Sequence, residues 1–355
     1  MTTRPQILLA FSQQVRQGFI DPAELQRLES FADWSWLACE GGGRTYFRAE
    51  DDPATSASLR AEIHNATGLI VCHGAPLIDS AILEAAPNLR IIGELEGDRF
   101  AGRIDLDAAW ARNIRTVDVT NGSSYPVAEW ALGLILLSMH NGAAHFRKIL
   151  HGQTAPDPVA SALMPGLLTG KRVGLIGCGH MGRRLIQLLR PFQTEIWVHD
   201  PYLPREMAEA LGFVQTSLDN LLSHADVVVC LVPITPRTQG MLGEREFNLM
   251  RAGAVFINVS RGAVVDSKAL IARLKRGDLI AALDVFDPEP IPPESEIIQL
   301  PNVFLSPHIG GHGGGSYPPF FSLMVDELER FFAGHETHFD LTPRAKANRT
   351  GAQPV

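Results

Sequence analysis

Residues 173–182 read Val173-Gly174-Leu175-Ile176-Gly177-Cys178-Gly179-His180-Met181-Gly182, a short apolar run followed at once by G-x-G-x-x-G and then by the helix-forming stretch 181–189. The placement gives the motif its meaning. A strand that turns through glycines directly into a helix points the unbonded N–H groups and the positive dipole end of that helix at the turn, which is how a chain cradles a diphosphate. Gly177 allows the tight turn, Gly179 lets the backbone approach the phosphates, and Gly182 lets the helix pack closely on its strand. Asp200, at the end of the next apolar run, is expected to accept the adenosine ribose hydroxyls and to repel a 2′-phosphate, which favours NAD over NADP. Arg205, close behind it, keeps some NADP use open. Cys178 reads as a small buried filler, because nothing beside it supplies a base.

Working outward, apolar runs at 173–177, 196–199, 227–232, 255–259, 281–286 and 303–305 alternate with helix-like segments at 181–189, 205–211 and 267–275. Strands buried on both faces need continuous apolar runs, so this β-α-β-α pattern predicts a parallel sheet covered by helices. The N-terminal part repeats the theme more weakly, with strands predicted at 7–11, 68–72 and 89–93 and helices at 23–30 and 79–85. A second, smaller α/β unit follows. Stretch 126–139 is apolar nearly all round, with Ser123 and Ser124 as candidate caps before Pro126, and predicts a buried or interface helix. Residues 153–166 read as a loop, 320–333 as a helix, and the basic tail 341–355 is expected to fray.

The chain has 355 residues, 31 basic and 39 acidic, for a net charge of −8. Such a chain is long enough for two domains, and its acidic balance disfavours a nucleic-acid binder driven by phosphate contacts. The four cysteines, Cys39, Cys72, Cys178 and Cys230, form no C-x-x-C pair, so neither a metal site nor a disulfide framework is expected. Residues 1–10 lack the apolar core of a signal peptide, and the longest apolar stretch, 130–139, is half of what spans a bilayer. No membrane partner and a cytoplasmic location are expected.

Three further segments follow predicted strands: Asn258-Val-Ser260-Arg261 through Asp266, Asp284 through Glu289-Pro290, and Ser306-Pro-His308-Ile-Gly-Gly311. Ligands of open parallel sheets bind at the carboxyl ends of the strands, so Arg261, Glu289 and His308 are expected to converge where a nicotinamide would lie. With these residues, the chain from about 68 to about 335 resembles the D-isomer-specific 2-hydroxyacid dehydrogenases. The resemblance implies Arg261 as the substrate-binding arginine, His308 as the acid/base and Glu289 as its carboxylate partner. It implies an α/β protein of two domains, a Rossmann-type doubly wound parallel sheet (126–309, NAD-binding) inserted in a smaller flavodoxin-like substrate domain (1–125 and 310–355). It also implies a homodimer joined through the cofactor domain, with the helix from Pro126 at the interface.

The chemistry fits those residue types. The planar guanidinium of Arg261 can grip a 2-keto acid through paired charge-assisted hydrogen bonds. His308 can give a proton to the carbonyl oxygen as hydride reaches the carbon, and Glu289 can orient the imidazole and favour its charged form. Cofactor contacts are expected at Gly177, Gly179, His180, Met181, Gly182, Asp200, Pro233, Asn258, Ser260, Asp284 and Gly311. For Asn258 and Asp284, strand-end capping and turn hydrogen bonds are equal alternatives. The expected reaction is interconversion of a small 2-keto acid and a D-2-hydroxy acid with NAD, in a cleft between the domains. The alternatives are an NAD-sensing corepressor or binding protein of the same fold, and a formate dehydrogenase-like relative, whose family carries Gln where Glu289 stands.

The resemblance thins at 93–105. The family's glycine-rich loop ending in Asp-Asn-Ile-Asp, whose backbone amides receive the substrate carboxylate, is here two residues longer, has Arg103 in place of the Asn, and is crowded with Glu94, Glu96, Asp98 and Arg99. A solvated ion-pair loop is one reading; recognition of an extra anionic group by Arg99 or Arg103 is the other. His180-Met181 stands where the family often has Arg-Ile, which predicts weaker phosphate binding. His73 at a strand end is either a pocket wall or an ordinary strand-end histidine.

Overall fold

The computed structural model describes residues 4–39, 52–97, 102–311 and 317–350. The chain divides into two compact units, Met1–Ser123 with Gly313–Val355, and Ser124–His312.

The first unit is built on strands β1 (Gln6–Phe11), β2 (Asp33–Ala38), β3 (Gly68–Val71), β4 (Ile91–Glu94) and β5 (Arg115–Asp118), all parallel in the order β2-β1-β3-β4-β5. Alternate residues serve opposite faces. Leu8, Ala10, Leu69, Val71 and Ile92 enter one core, while Ile7, Leu9, Phe11, Ile70 and Ile91 enter the other. That double burial is why β1, β3 and β4 read as continuous apolar runs. The two edge strands carry weak signals in the sequence for different reasons: β2 is covered incompletely and alternates as Asp-Trp-Ser-Trp-Leu-Ala, while β5 is a short Arg-Thr-Val-Asp whose buried residues include the polar Thr116 and Asp118.

The helix Phe320–Phe332 returns to this sheet and buries Phe320, Phe321, Met324, Val325 and Leu328 in the second core. Gly93 is the price of its approach, since a Cβ there would lie 2.3 Å from Met324 Sδ. The expectation of a fraying tail is corrected up to residue 350. Leu341 N–H donates to Thr116 O at 2.9 Å, Arg115 pairs with Asp340 at 3.1 Å, and the helix Pro343–Thr350 carries Lys346, whose ammonium pairs with Asp107. A polar segment is held here by tertiary ion pairs that its own sequence does not announce.

The second unit holds β6 (Arg172–Ile176), β7 (Glu195–His199), β8 (Val214–Gln215), β9 (Val227–Cys230), β10 (Val255–Asn258), β11 (Ile280–Leu283) and β12 (Val303–Leu305). All are parallel, in the order β12-β11-β10-β9-β6-β7-β8, so the winding reverses between β6 and β9 and opens a crevice at their carboxyl ends. Val173, Leu175, Val227, Val229, Val255 and Ile257 line one core; Ile176, Val228, Cys230, Phe256 and Ala281 line the other. The two-residue β8 is too short to stand out in the sequence.

The helix Ser124–Met139 starts two residues before Pro126, so Ser124 is its first helical residue and not its cap. It buries Ala128, Ala131, Leu134, Ile135 and Met139 in the first of these cores, which accounts for much of its apolar sequence. The stretch read as a loop contains a short helix, Pro158–Ala162, whose cap Asp157 accepts from Ala160 N–H at 2.8 Å. Among the described residues no helix is long and apolar enough to cross a membrane.

Candidate active site

The glycine turn leaves β6 and enters the helix His180–Leu189. Gly177 has φ +91°, and a Cβ on it would meet Val232 Cγ1 at 2.9 Å, so both conformation and space demand glycine. A Cβ on Gly182 would come within 3.1 Å of Gly177 O, the close helix-to-strand packing the motif requires. Gly179 caps the helix with no side-chain hydrogen bond, so no side chain of the cap competes for the helix's first N–H groups. Asp200 is stitched to the turn: Cys178 N–H donates to Oδ2 and Tyr202 N–H to Oδ1, each at 3.0 Å. A carboxylate has lone pairs beyond these two for ribose hydroxyls. His180 is exposed at the start of the helix and Met181 is half-buried against the core. Burial pushes the Cys178 thiol up to about 11, the state of an inert filler.

The second cluster rises from β10, β11 and β12. Asn258 is buried and spends its side chain on the turn: Oδ1 accepts from Ser260 N–H at 3.1 Å and Ser260 Oγ at 3.0 Å, and Nδ2 donates to Arg261 O at 3.1 Å. Arg261 is half-buried and donates through Nη1 to Ser260 O at 2.7 Å. Gly262 has no room for a side chain, since a Cβ would fall 1.8 Å from Phe286 C and O. The Arg261 loop therefore lies directly on the loop that carries Glu289.

His308, at φ +54°, brings Nδ1 to 2.5 Å from Glu289 Oε1. Burial works to raise the Glu289 carboxyl, but the His308 hydrogen bond and charge, the Phe286 amide and the Arg261 charge together hold it below its ordinary value. The three residues thus share one electrostatic neighbourhood. Asp284 holds the histidine loop in shape: Oδ1 accepts from Ser306 Oγ at 2.6 Å and Ile309 N–H at 3.0 Å, and Oδ2 from Gly310 N–H at 2.9 Å. For Asp284 and Asn258 the strand-end hydrogen bonds account for the polar atoms. Pro233 is exposed beyond β9, and Gly311 faces open space.

A family model described as D-isomer specific 2-hydroxyacid dehydrogenase, NAD binding domain, matches residues 132–310. The chain belongs to the D-isomer-specific 2-hydroxyacid dehydrogenases. The matched part is that family's NAD-binding domain, which agrees with the glycine turn and Asp200 at the ends of β6 and β7. The chain is 30% identical over 282 residues to a D-3-phosphoglycerate dehydrogenase of Methanocaldococcus jannaschii, covering 79% of this chain and 52% of the relative. It is 32% identical over 263 residues to a glyoxylate reductase of Thermofilum pendens, covering 74% of this chain and 77% of the relative. The chain thus spans about half the length of the phosphoglycerate dehydrogenase it matches. A phosphoglycerate oxidoreductase from Rhizobium etli shares the fold at a TM-score of 0.79, with 24% identity over 95% of this chain and 98% of that one.

Trp130 and Arg237 had no signal of their own in the sequence. Ser306 links Asp284 to Trp130, whose Nε1–H donates to Ser306 Oγ at 3.3 Å. Arg237, beyond β9, donates to Tyr202 Oη at 3.2 Å and so brings a cation beside the Asp200 turn, while Arg205 is exposed at the cap of the next helix. In the first unit, His73 Nε2 lies 3.3 Å from Glu96 Oε2, and Arg103 is buried against Glu94. The solvated ion pair expected around residue 103 is therefore a buried one. Asp98 and Arg99 lie outside the described residues. Among the described residues no cluster of histidine, cysteine and carboxylate side chains has the makings of a metal site.

Proposed function

We propose that this dehydrogenase interconverts a small 2-keto acid and the corresponding D-2-hydroxy acid. The 2.5 Å His308–Glu289 pair within the field of Arg261 carries the reading, on the same sheet edge as the glycine turn. When bound, the dinucleotide supplies or takes the hydride at C2 of the substrate. Gly177, Gly179, His180, Met181 and Gly182 would line its phosphates, Asp200 its ribose, and Pro233, Ser260 and Gly311 its nicotinamide side, with Asn258 and Asp284 shaping the loops beneath. Arg261 binds the carboxylate and carbonyl of the keto acid through the fork of its guanidinium. As negative charge grows on the carbonyl oxygen, protonated His308 delivers a proton there; neutral His308 removes the hydroxyl proton in the reverse direction. Glu289 holds the imidazole in orientation through Nδ1, leaving Nε2 for the substrate, and stabilises its charge.

The test is NADH oxidation against glyoxylate, pyruvate, hydroxypyruvate, a phosphorylated and a dicarboxylic 2-keto acid, with a parallel arm of NAD and formate. Turnover of a 2-keto acid supports the reading. Tight NADH binding with no turnover in any arm refutes it in favour of a dinucleotide sensor, and reduction of NAD by formate alone would move the chain to formate chemistry.

We also propose self-association through the NAD-binding unit. The helix Gly142–Leu150 exposes Phe146, Ile149 and Leu150, and the segment after it exposes Val159 and Leu167, each more than half accessible. Large apolar side chains concentrated in one part of a surface mark an interaction site.

A further inference from the structure

Trp130 stands on the helix Ser124–Met139 and touches the histidine loop on both sides of His308. Before the histidine, its Nε1–H donates to Ser306 Oγ at 3.3 Å. After it, the indole lies against Gly310, where a Cβ would stand 2.9 Å from Trp130 Cδ1. The ring also meets Phe304 of β12 edge-on, with centroids 6.3 Å apart. His308, between these contacts, holds φ +54°, a backbone state that residues with side chains rarely adopt and that persists only where the surroundings enforce it.

The hydrogen bonds of this contact run in one direction. An indole N–H only donates and a carboxylate only accepts, so the single proton of the Ser306 hydroxyl goes to Asp284 Oδ1, at 2.6 Å. A hydroxyl that accepts from an N–H is the stronger donor onward, because linked hydrogen bonds polarise one another. Asp284 in turn accepts from Ile309 N–H at 3.0 Å and Gly310 N–H at 2.9 Å, so the chain that starts at Trp130 ends on the two residues after the histidine. Ser306 and Asp284 are buried, which keeps water from substituting for the missing links.

Docking of the helix does not call for an indole N–H, since Ala128, Ala131, Leu134, Ile135 and Met139 already bury it in the core. An apolar side chain at position 130 could pack on Phe304 and Gly310, but it could not orient the Ser306 hydroxyl. We propose that Trp130 is a positioning residue, which through Ser306 and Asp284 fixes the loop on either side of His308 and so keeps the imidazole at Glu289. This rests on the keto-acid reading above, in which His308 moves the proton. Every group in the chain lies within the unit Ser124–His312.

The experiment compares wild type with Trp130→Phe, Ser306→Ala, the double variant, and Leu134→Ala, which trims a core side chain of the same helix. Should Trp130→Phe not fold, Trp130 is replaced by β-(3-benzothienyl)alanine, which keeps the double ring and lacks the N–H. The readouts are kcat and KM for the best 2-keto acid, NADH affinity from the cofactor's own emission, and melting by circular dichroism. For Trp130→Phe we expect kcat about tenfold lower, part of the roughly hundredfold that a displacement of about 1 Å costs, with KM and NADH affinity within about twofold. The double variant should be no worse than Ser306→Ala, because the two groups act in series. Leu134→Ala should melt lower with kcat within about twofold, a separation that a merely structural Trp130 would not produce. A folded protein lacking the indole N–H with kcat within about twofold of wild type overturns the proposal. So does a double variant whose loss is the product of the single losses, or a fall of kcat in Leu134→Ala equal to that in Trp130→Phe. Absence of turnover by wild type overturns the keto-acid reading and this proposal with it, whereas turnover that is indifferent to Trp130 overturns only the latter.

Discussion

Replacing Asp284 with Asn tests how the histidine is held. The carboxylate is 2% exposed and accepts three hydrogen bonds, from Ser306 Oγ at 2.6 Å, Ile309 N–H at 3.0 Å and Gly310 N–H at 2.9 Å. An amide of the same shape has one acceptor oxygen. Whichever way it turns, its NH2 faces a backbone N–H, that of Gly310 or that of Ile309, so one buried donor loses its partner and the remaining bonds lose charge assistance. An unmade buried hydrogen bond costs about 1–3 kcal/mol and charge assistance about another 1 kcal/mol, so the NAD-binding unit should lose about 2–4 kcal/mol. That corresponds to a fall of roughly 5–15 °C in its melting temperature. Ile309 follows His308 directly, and a displacement of a reacting group by about 1 Å costs on the order of 100-fold in rate. Thermal melting by circular dichroism, kcat for the best keto acid and NADH titration by fluorescence are the assays. We expect kcat down about 100-fold with NADH affinity within about threefold. Normal melting and full kcat would refute the role given to Asp284. Normal melting with a selective loss of NADH affinity would make it a cofactor contact.

His308→Ala should abolish reduction while leaving NADH binding intact; a rate near wild type would remove His308 from the role of proton donor. Glu289→Gln should lower kcat about tenfold, the low end of a charge-assisted bond because the pair is partly exposed. Since the folded Glu289 is held below its ordinary value, the wild-type advantage should persist from pH 8 down to about 5 and vanish only as pH falls through that depressed value, which a paired pH–rate profile reads directly. Gly177→Ala forces a side chain into φ +91° and against Val232, and should weaken NADH binding at least about tenfold by titration, with the strain of such a backbone worth on the order of 1–3 kcal/mol. Phe146→Asp with Leu150→Asp should shift sedimentation to the monomer; an unchanged profile would exclude that face as the self-association surface.

The sequence by itself determined the architecture wherever burial is two-sided and wherever a backbone conformation demands one residue type. β6, β9 and β10 are covered on both faces, so each is a continuous apolar run, and the turn after β6 can be built only with Gly177. Residue type and strand-end position likewise singled out Arg261, Glu289 and His308. What spacing along the chain does not express is who bonds to whom across strands. Parallel pairing sets Leu283 beside Leu305, so Asp284 emerges next to Ser306 and is drawn into the histidine loop, where the sequence left a cofactor contact equally open. Arg103, legible only as a charge in a crowded loop, becomes a buried partner because β4 and the helix-capping turn at Asp105 return it to Glu94. Periodicity and steric need are local and are written in the sequence; the partner of a buried polar group depends on strand register and packing, which only the tertiary structure decides.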